Sequence, residues 1–351
     1  MKFSIIIPVY NRPDETDELL HSLTEQSFND FEVIVVDDGS SMACREVTEK
    51  YPLLDIRYFY KPNSGPGQTR NYGAERAQGE YLIILDSDVI LPPHYLEEVA
   101  KGISETGAVA FGGPDRAHPS FSDVQKAINY SMTSFFTTGG IRGGKKKMDK
   151  FYPRSFNMGV RRDMYLQLGG FSKMRFGEDI DFSTRIFEAG YPCFLFSEAW
   201  VYHKRRTDFR KFYRQVYNSG IARINLEKRH PSTLKLVHLL PAVFTAGVLL
   251  LALLFIVGVA VGTLIQTGMM DVDPPFGLII CTVSLLPLLL YSLLIFFDSS
   301  IKNRSVMVGL LSIPASFVQL MGYGLGFMES WWKRCVQGKD EFQAFEKTFY
   351  K

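Results

Sequence analysis

Two carboxylates one residue apart, Asp86 and Asp88, directly follow the apolar run Tyr81–Leu85. An apolar run of this length, bounded by a glycine and by two prolines, is typical of a buried central strand rather than of a helix. Residues two apart on an extended chain point to the same side, so both carboxylates can reach one ligand beyond the strand's carboxyl end. Two hard oxygen donors suit Mg²⁺ or Mn²⁺, which complete their coordination with water and phosphate oxygens.

The aspartate pair alone is a weak signal, because the same spacing recurs at Asp179–Asp181 and at Asp271–Asp273. The Asp271–Asp273 pair lies in a predicted loop without a strand, and we assign it no metal role. A second predicted strand, Phe31–Val36, also ends in acid, at Asp37 and Asp38. An acidic sheet edge is unsuited to binding an anion directly but suits a metal ion that in turn binds the anion.

Strand-like and helix-like segments alternate around these acids. Strands are predicted at Phe3–Val9, Phe31–Val36, Ile56–Tyr60 and Tyr81–Leu85, with one helix after an N-cap at Asp14 and another from Gln68 to Ala77. This alternation predicts an α/β fold with a mainly parallel, Rossmann-like sheet and crossover helices. No G-x-G-x-x-G follows the first strand, which excludes a dinucleotide-binding oxidoreductase.

The composition changes near residue 235, where polar sequence gives way to three apolar segments, 239–265, 276–297 and 306–328. Each meets the requirement of about 20 apolar residues for crossing a bilayer. The net charge of +2 averages over two unlike halves and indicates no class of partner. The four cysteines are scattered without C-x-x-C spacing, which argues against a disulfide framework or a zinc site.

The distribution of Lys and Arg predicts the orientation of these segments. Basic residues precede the first segment and follow the second, whereas the loop at 266–275 has neither Lys nor Arg, so the catalytic half is predicted to be cytoplasmic. The apolar run at the N-terminus is too short for a signal peptide. The third segment contains Pro314 and three glycines near 322–326, and it either spans the bilayer or is re-entrant, with the tail then cytosolic. We expect a multi-pass protein of the cell (inner or plasma) membrane.

Four regions follow from these patterns. They are a catalytic α/β domain at 1–208, an amphipathic helix and linker at 209–238, a membrane region at 239–328 and a basic tail at 329–351. The basic, aromatic helix after residue 208 fits two placements, on the cytosolic leaflet or packed on the sheet as a domain-closing helix.

Five motifs occur in an order that resembles the family 2 glycosyltransferases of GT-A fold, and the resemblance covers about residues 1–235. Five ordered motifs are far more specific than any single one. One small departure is Thr69, where alanine commonly precedes the arginine. The motifs are Ser4–Asn11, Val35–Ser40, Asn63–Gly65 with Arg70–Gly73, Asp86–Asp88, and Gly177–Asp181 with Arg185.

The resemblance implies a role for several residues. Asp179 would be the general base, with Glu178 and Asp181 in support, and transfer would invert the anomeric carbon. Asp88, Asp86 and His203 would hold Mg²⁺ or Mn²⁺, although His203 could instead contact the diphosphate or be structural. The implied nucleotide-sugar pocket consists of Pro8, Tyr10, Asp37, Asp38, Asn63, Gly65, Arg70, Asp86, Asn157, Arg185 and Arg205. Asn157 could equally be a turn residue, and Arg205 could face the membrane.

The chemistry of sugar transfer agrees with these roles. Moving a sugar from a nucleotide diphosphate to a hydroxyl needs a cation beside the leaving diphosphate and a carboxylate that removes the acceptor proton. Glu178 and Asp179 follow Gly177 and precede a helical pattern, so they are predicted at a helix start, where the dipole stabilises negative charge.

The Gly-rich, basic segment 139–147 nearly matches a phosphate-binding P-loop. Lys146 replaces the Ser or Thr that would hold magnesium, and no strand precedes the segment, so a P-loop is excluded. A mobile lid that meets a phosphate or an anionic membrane, and a solvated surface loop, both remain open.

The predicted enzyme is a membrane-anchored, inverting glycosyltransferase that moves one sugar from a nucleotide-diphosphate sugar to a lipid-linked or membrane-associated glycan. The Gln-x-x-Arg-Trp motif of processive synthases is absent from the sequence, which favours one transfer per acceptor. Expected partners are the donor, the acceptor and membrane lipids, with no nucleic acid. Two alternatives remain, a polyprenyl-phosphate sugar transferase and a non-catalytic membrane subunit of a glycan assembly complex.

Overall fold

The computed structural model describes residues 1–138, 151–174 and 176–345. Their contacts divide the chain into two units. The first unit comprises the described residues of Met1–Ser120 and Lys145–Lys204, and the second those of Phe121–Gly144 and Arg205–Lys351. The predicted loop at 139–147 and the end of the basic tail lie outside the described residues. The bounds of the four regions predicted from the sequence remain predictions.

Ten strands occur in the described residues, all of them in the first unit. They are β1 (Phe3–Val9), β2 (Phe31–Asp37), β3 (Ile56–Tyr60), β4 (Tyr81–Leu85), β5 (Val89–Ile90), β6 (Ala110–Gly112), β7 (Asp115–Arg116), β8 (Asn157–Arg161), β9 (Cys193–Leu195) and β10 (Val201–His203). Seven of them form a sheet in the order β3-β2-β1-β4-β8-β6-β9. Strands β1 to β4 are parallel to one another, and β8 runs antiparallel to its neighbours. The predicted α/β architecture with a mainly parallel sheet is confirmed.

The centre of this sheet is buried on both faces, because β1, β2 and β4 are almost wholly apolar. Alternate side chains supply two cores, one containing Ile5 and Ile83, the other Ile6 and Ile84. The chain leaves β1 toward β2 and β3, then returns to pair β4 on the other side of β1. The crevice at such a reversal of strand order is where open α/β sheets bind ligands.

Twelve α-helices are present among the described residues. They are α1 (Pro13–Thr24), α2 (Arg45–Thr48), α3 (Pro66–Arg76), α4 (Tyr95–Thr106), α5 (Asp123–Thr133), α6 (Phe135–Thr138), α7 (Arg162–Gln167), α8 (Glu178–Glu188), α9 (Phe209–Arg229), α10 (Leu240–Gln266), α11 (Pro275–Asn303) and α12 (Val306–Trp331). The prediction of Asp14 as the N-cap of α1 is wrong, because α1 begins at Pro13 and Arg12 occupies the cap position. Proline at the first helical position explains the difference, since its ring presets the helical φ and its missing N–H is not needed there.

A small second sheet in the order β5-β10-β7 belongs to the first unit. Strand β10 is antiparallel to β5, with His203 opposite Val89, and parallel to β7. The backbone N–H of Lys204 donates to the carbonyl of Asp88 at 3.0 Å. This pairing carries His203 to the carboxyl end of β4, although the two are far apart in the sequence.

The second unit is helical and contains the apolar segments. Three of its helical segments, Leu236–Gln266, Pro275–Asn303 and Val306–Val336, are long and apolar enough to cross a membrane. The predicted three long apolar helices are therefore confirmed. Helix α9 corresponds to the predicted amphipathic helix, and the apolar residues Phe212, Val216 and Ile221 on it are buried.

Candidate active site

The turn after β2 is organised by Asp37, whose side chain is fully buried. Its carboxylate accepts hydrogen bonds from the N–H groups of Ser40 at 2.8 Å and Cys44 at 3.3 Å, and from the Tyr58 hydroxyl at 2.8 Å. Burial and this bond to a carboxylate raise the pKa of Tyr58 above its usual range. The contacts give Asp37 a role in holding the turn, and a direct role toward a ligand stays a prediction.

Asp38 connects the end of β2 to the loop before α3. Its carboxylate accepts from the N–H groups of Ser64 and Gly65, both at 2.9 Å, and pairs with the Lys61 ammonium. The Asn63 amide donates to the Asp38 carbonyl at 2.9 Å. The predicted pocket residues Asp38, Asn63 and Gly65 thus lie together. Lys61 was missed by the sequence analysis, since no motif contains it.

The remaining N-terminal pocket residues lie at the end of β1. Pro8 pairs in register with Val36 on β2, and Val9 pairs with Asp37. Tyr10 follows directly and is half-buried. The structure therefore brings Pro8 and Tyr10 beside the acidic end of β2, where two other residues of the implied nucleotide-sugar pocket, Asp37 and Asp38, also lie.

The three predicted metal ligands are brought together by the two sheets. Asp86, Asp88 and His203 each offer one ligand atom, and these atoms all lie within 4.8 Å of one another. His203 Nε2 is 3.3 Å from Asp88 Oδ1, and its ring stacks on Phe156 with centroids 4.6 Å apart. Within the described ranges no other group of three such side chains meets this geometry, so neither of the other aspartate pairs forms one. Two carboxylates and an imidazole are a donor set that fits Mg²⁺ or Mn²⁺.

Two further charged residues surround this cluster and were not singled out from the sequence. Arg12 Nη1 lies 3.3 Å from Asp88 Oδ2 and 3.1 Å from Glu15 Oε1. Asp115 Oδ2 lies 3.8 Å from His203 Nδ1. This distance is longer than a hydrogen bond, so the contact places a second negative charge beside the imidazole of the predicted metal ligand His203.

Arg70 joins the cluster to the predicted catalytic pair. Its buried guanidinium donates to Asp86 Oδ1 at 2.6 Å and to Glu178 Oε1 at 3.1 Å, and it lies 5.3 Å from the centroid of the Phe171 ring. Burial opposes the charged form, but the two carboxylates prevail and raise the pKa of Arg70 above its ordinary value. Arg70 thus fixes the relative position of two acids that are remote in sequence.

Glu178 and Asp179 are the first two residues of α8, as predicted, and Gly177 precedes them with φ +83°. Asp179 Oδ1 accepts from the N–H of Ile180 at 2.8 Å, and Arg154 Nη1 lies 3.5 Å from Asp179 Oδ2. About 13% of the Asp179 side chain is exposed, so a bound hydroxyl could reach its carboxylate. Arg154 was also missed by the sequence analysis.

Burial, with the charge of the adjacent Asp179, raises the pKa of Glu178 to about 7. A carboxyl group whose pKa is raised by folding stabilises the folded state below its unfolded pKa, and this contribution is lost as the pH rises through the folded pKa. We therefore compare the melting temperatures of the wild type and Glu178→Gln. The advantage of the wild type over this variant is expected to shrink by several degrees between pH 4.5 and pH 8. Thermal unfolding of the purified protein in detergent measures this difference.

Glu105→Gln, on an exposed position of α4, is the matched control for loss of one solvated carboxylate. A difference between wild type and Glu178→Gln that stays constant over the same pH range would contradict the raised pKa.

Three predicted pocket residues have side chains engaged in other contacts. Asn157 accepts from the Tyr95 hydroxyl at 2.6 Å and donates to the Ala199 carbonyl at 2.9 Å. Arg185 donates to Asp181 at 3.0 Å and to the carbonyls of Leu168 and Gly170. Arg205 belongs to the second unit, where it donates to Asn129 Oδ1 at 2.9 Å. These contacts hold the fold, and donor binding by the three residues stays a prediction.

Comparisons with known proteins identify the family of the chain. The model of the family described as "Glycosyl transferase family 2" matches residues 4–169. An uncharacterized glycosyltransferase of Haemophilus influenzae is 30% identical over 215 residues, which cover 58% of this chain and 69% of that protein. Poly(ribitol-phosphate) beta-N-acetylglucosaminyltransferase TarS of Staphylococcus aureus is 38% identical over 110 residues, covering 30% of this chain but only 19% of its own length.

One solved structure matches almost the whole chain. The mannosyltransferase PcManGT from Pyrobaculum calidifontis, in complex with GDP-Man and Mn²⁺, superposes with a TM-score of 0.54 at 16% identity, covering 91% of this chain and 87% of that one. This likeness shows a shared fold. With the sheet order, the family match and the Haemophilus relative, it confirms the predicted fold class and enzyme class: the chain belongs to the family 2 glycosyltransferases and has a GT-A domain followed by three long apolar helices.

Proposed function

We propose that this glycosyltransferase is membrane-anchored and metal-dependent, and that it moves one sugar, with inversion, from a nucleotide-diphosphate sugar to a lipid-linked or membrane-associated glycan. The observation that carries the proposal is the meeting of Asp86, Asp88 and His203 at the carboxyl end of β4, with ligand atoms within 4.8 Å. Arg70 links this cluster to Glu178 beside the proposed base, Asp179.

The proposed chemistry is a single displacement. The acceptor oxygen forms a bond to the anomeric carbon while the bond from that carbon to the diphosphate oxygen breaks, and the acceptor proton passes to the Asp179 carboxylate. A metal ion held by Asp86, Asp88 and His203 would supply positive charge next to the departing diphosphate. Arg154 Nη1, which donates to Asp179 Oδ2 at 3.5 Å, would orient this carboxylate before the proton is transferred.

The second unit supports a membrane-associated acceptor. Helices α10 and α11 expose apolar side chains such as Leu250, Leu253, Leu286 and Leu289, each about half accessible. Such an anchor keeps the enzyme at a bilayer, where a lipid-linked acceptor is concentrated. The distribution of basic residues favours a catalytic domain on the cytoplasmic face of the cell membrane.

The named relatives support a nucleotide-sugar donor without choosing the sugar. The name of TarS describes an N-acetylglucosaminyltransferase, and the structure of PcManGT was solved with GDP-Man and Mn²⁺. The chain spans only about a fifth of TarS, so donor and acceptor are left to experiment.

The test is a screen of the full-length protein in membranes against a panel of UDP, GDP and dTDP sugars, with EDTA, Mg²⁺ or Mn²⁺. We expect one donor to give metal-dependent release of nucleotide diphosphate and a labelled lipid-extractable product in which the label belongs to an oligosaccharide, whether or not mild acid releases it from the lipid. Release by mild acid of the label as the free monosaccharide alone would point instead to a polyprenyl-phosphate sugar transferase. Donor binding without turnover for every sugar and membrane source would point to a non-catalytic subunit.

A further inference from the structure

The antiparallel packing of α10 and α11 shows which of their residues lie at the same depth along the two helices. Gly258 lies against Cys281, and a Cβ on Gly277 would lie 2.6 Å from the Cα of Gly262. The same antiparallel register places residues 241–245 of α10 level with about 294–298 of α11. These positions form the end of the hairpin that leads back to α9 and onward to α12.

Several contacts place α12 against the hairpin near that end. Near its start, Ser312 Oγ lies 2.7 Å from Ser299 Oγ. In its middle, the Phe317 ring lies 5.7 Å from Tyr291 and 5.8 Å from Phe244.

The later part of α12 returns to the first residues of α10. Thr245 Oγ1 lies 3.4 Å from the Leu320 carbonyl oxygen, and a Cβ on Gly324 would collide with the Pro241 carbonyl. From residue 310 to residue 325 an α-helix advances about 22 Å, most of the roughly 30 Å of a bilayer core. Over that length α12 stays level with the same hairpin end, so it runs across the hairpin and not alongside it.

The opposite side of α12 is covered by the basic helix α9. Side chains on Gly220 or Gly326 would collide with the backbone carbonyls of Tyr323 and Tyr217, so the two helices meet backbone to backbone. At one end Phe209 packs against a cluster that includes Val308 and Ala315 of α12, and near the other end Ser330 Oγ donates to the Ile221 carbonyl at 3.3 Å. The contact therefore extends along most of α12.

The charge on α9 decides where this helix pair can lie. Arg210 and Lys211 are exposed near the start of α9, and Lys228 and Arg229 are exposed at its end. Placing these charges at the depth of the hydrocarbon core would be costly. A helix that accompanies α9 over its length lies at the depth of α9, which is the membrane surface.

The segment after α12 returns to α9. The Asn218 amide donates to the Ala344 carbonyl at 3.1 Å, and its oxygen accepts from the Ala344 N–H at 2.9 Å. Arg229 pairs with Glu341 at 2.8 Å. Residues 341–344 thus lie on the same side of the membrane as α9.

The uncovered side of α12 is apolar. Its members are spaced three, four or seven residues apart, are exposed or half-exposed, and comprise Met307, Leu310, Pro314, Met321, Leu325 and Met328. Trp331 and Trp332 follow, each about half exposed, and then Lys333 and Arg334. An apolar strip that ends in tryptophans and basic residues suits the boundary between acyl chains and anionic headgroups.

We infer that α12 is an in-plane helix of the cytosolic leaflet whose open apolar side contacts the acyl chains of the lipids. The hairpin α10–α11 is then the membrane crossing of the described residues. The described C-terminal segment lies on the same side of the membrane as α9. This inference differs from both sequence interpretations of the third apolar segment, a full span and a re-entrant segment.

The test measures depth in lipid vesicles with the full-length chain in which Cys193, Cys281 and Cys335 are replaced by Ser, since Cys44 is buried. Leu310→Cys and Leu325→Cys carry nitroxide labels, and Leu253→Cys on α10 is the deep control. Accessibility of each label to oxygen and to a polar nickel complex is expected to place 310 and 325 at similar, shallow depths and 253 much deeper. Labels at 310 and 325 that differ in depth by about 22 Å would overturn the inference.

A second measurement tests the side of the C-terminal segment independently of depth. In sealed vesicles a membrane-impermeant maleimide is applied to three variants that lack Cys193 and Cys281. Each exposes one cysteine, which is the native Cys335, Lys228→Cys at the end of α9, or Met269→Cys in the loop between α10 and α11. We expect positions 335 and 228 to react from the same side and 269 from the other. Reaction of 335 together with 269 would overturn the inference.

Discussion

Asp179→Asn is expected to lower kcat by about 10²- to 10⁴-fold, the range in which a positioned general base contributes. The amide keeps the size of the carboxylate and can still accept from the Ile180 N–H, so the start of α8 is preserved. Donor affinity should change little, because Asp179 acts on the acceptor hydroxyl and is not among the proposed metal ligands. Steady-state transfer assays together with calorimetric titration of the donor separate the two effects.

Two comparisons make this result specific to the base. Asp163→Asn removes a carboxylate that is 68% exposed and pairs with Arg161 on the surface of the first unit, and it should leave kcat unchanged. Glu178→Gln addresses the rival base, since a pKa near 7 suits a general base at neutral pH. A full loss of turnover in Glu178→Gln, with activity retained in Asp179→Asn, would transfer the role to Glu178.

The parts of the site that follow strands were predictable from the sequence, and the parts that depend on tertiary contacts were not. Asp86 and Asp88 could be placed because a strand end fixes which way both side chains point. Lys61, Arg154 and Asp115 carry no such signal, because each meets its charged or imidazole partner only after distant segments fold together. Only the family resemblance indicated that His203 would lie at the metal site. The strands of the sheet that carries it beside Asp88 are too short to be predicted from the sequence.

The membrane half illustrates a second limit of sequence analysis. Hydropathy counts apolar residues but does not reveal what covers them. Helices α10 and α12 are nearly equal in length, yet few residues of the first are buried, whereas those of the second include Val308, Ala315 and Phe327. Small residues such as Gly322 and Gly326 make α12 appear a weak span in the sequence, and the structure shows that they admit the close approach of α9.

Asp88→Asn is expected to abolish metal-dependent donor binding while the protein still inserts into membranes. Asp88 is one of two carboxylates in the cluster, and replacing one halves the negative charge that offsets a divalent cation. Since metal ions contribute several kcal/mol in such sites, affinity for the nucleotide sugar in Mn²⁺ should fall by about 100-fold or more. Titrations with and without EDTA measure how much of the binding depends on the metal.

Asp271→Asn is the matched control, because Asp271 has the same one-residue spacing to a second aspartate but follows no strand. It should bind donor and metal as the wild type does. With EDTA present, Asp88→Asn and the wild type should bind the donor with the same affinity, because neither then holds the ion. The two proteins then differ only in the contacts of residue 88 with Arg12 and His203. If Asp88→Asn instead retained the full gain in affinity on adding Mn²⁺, the cation would be bound elsewhere, and the cluster at the end of β4 would be a network of ion pairs that shapes the sheet edge.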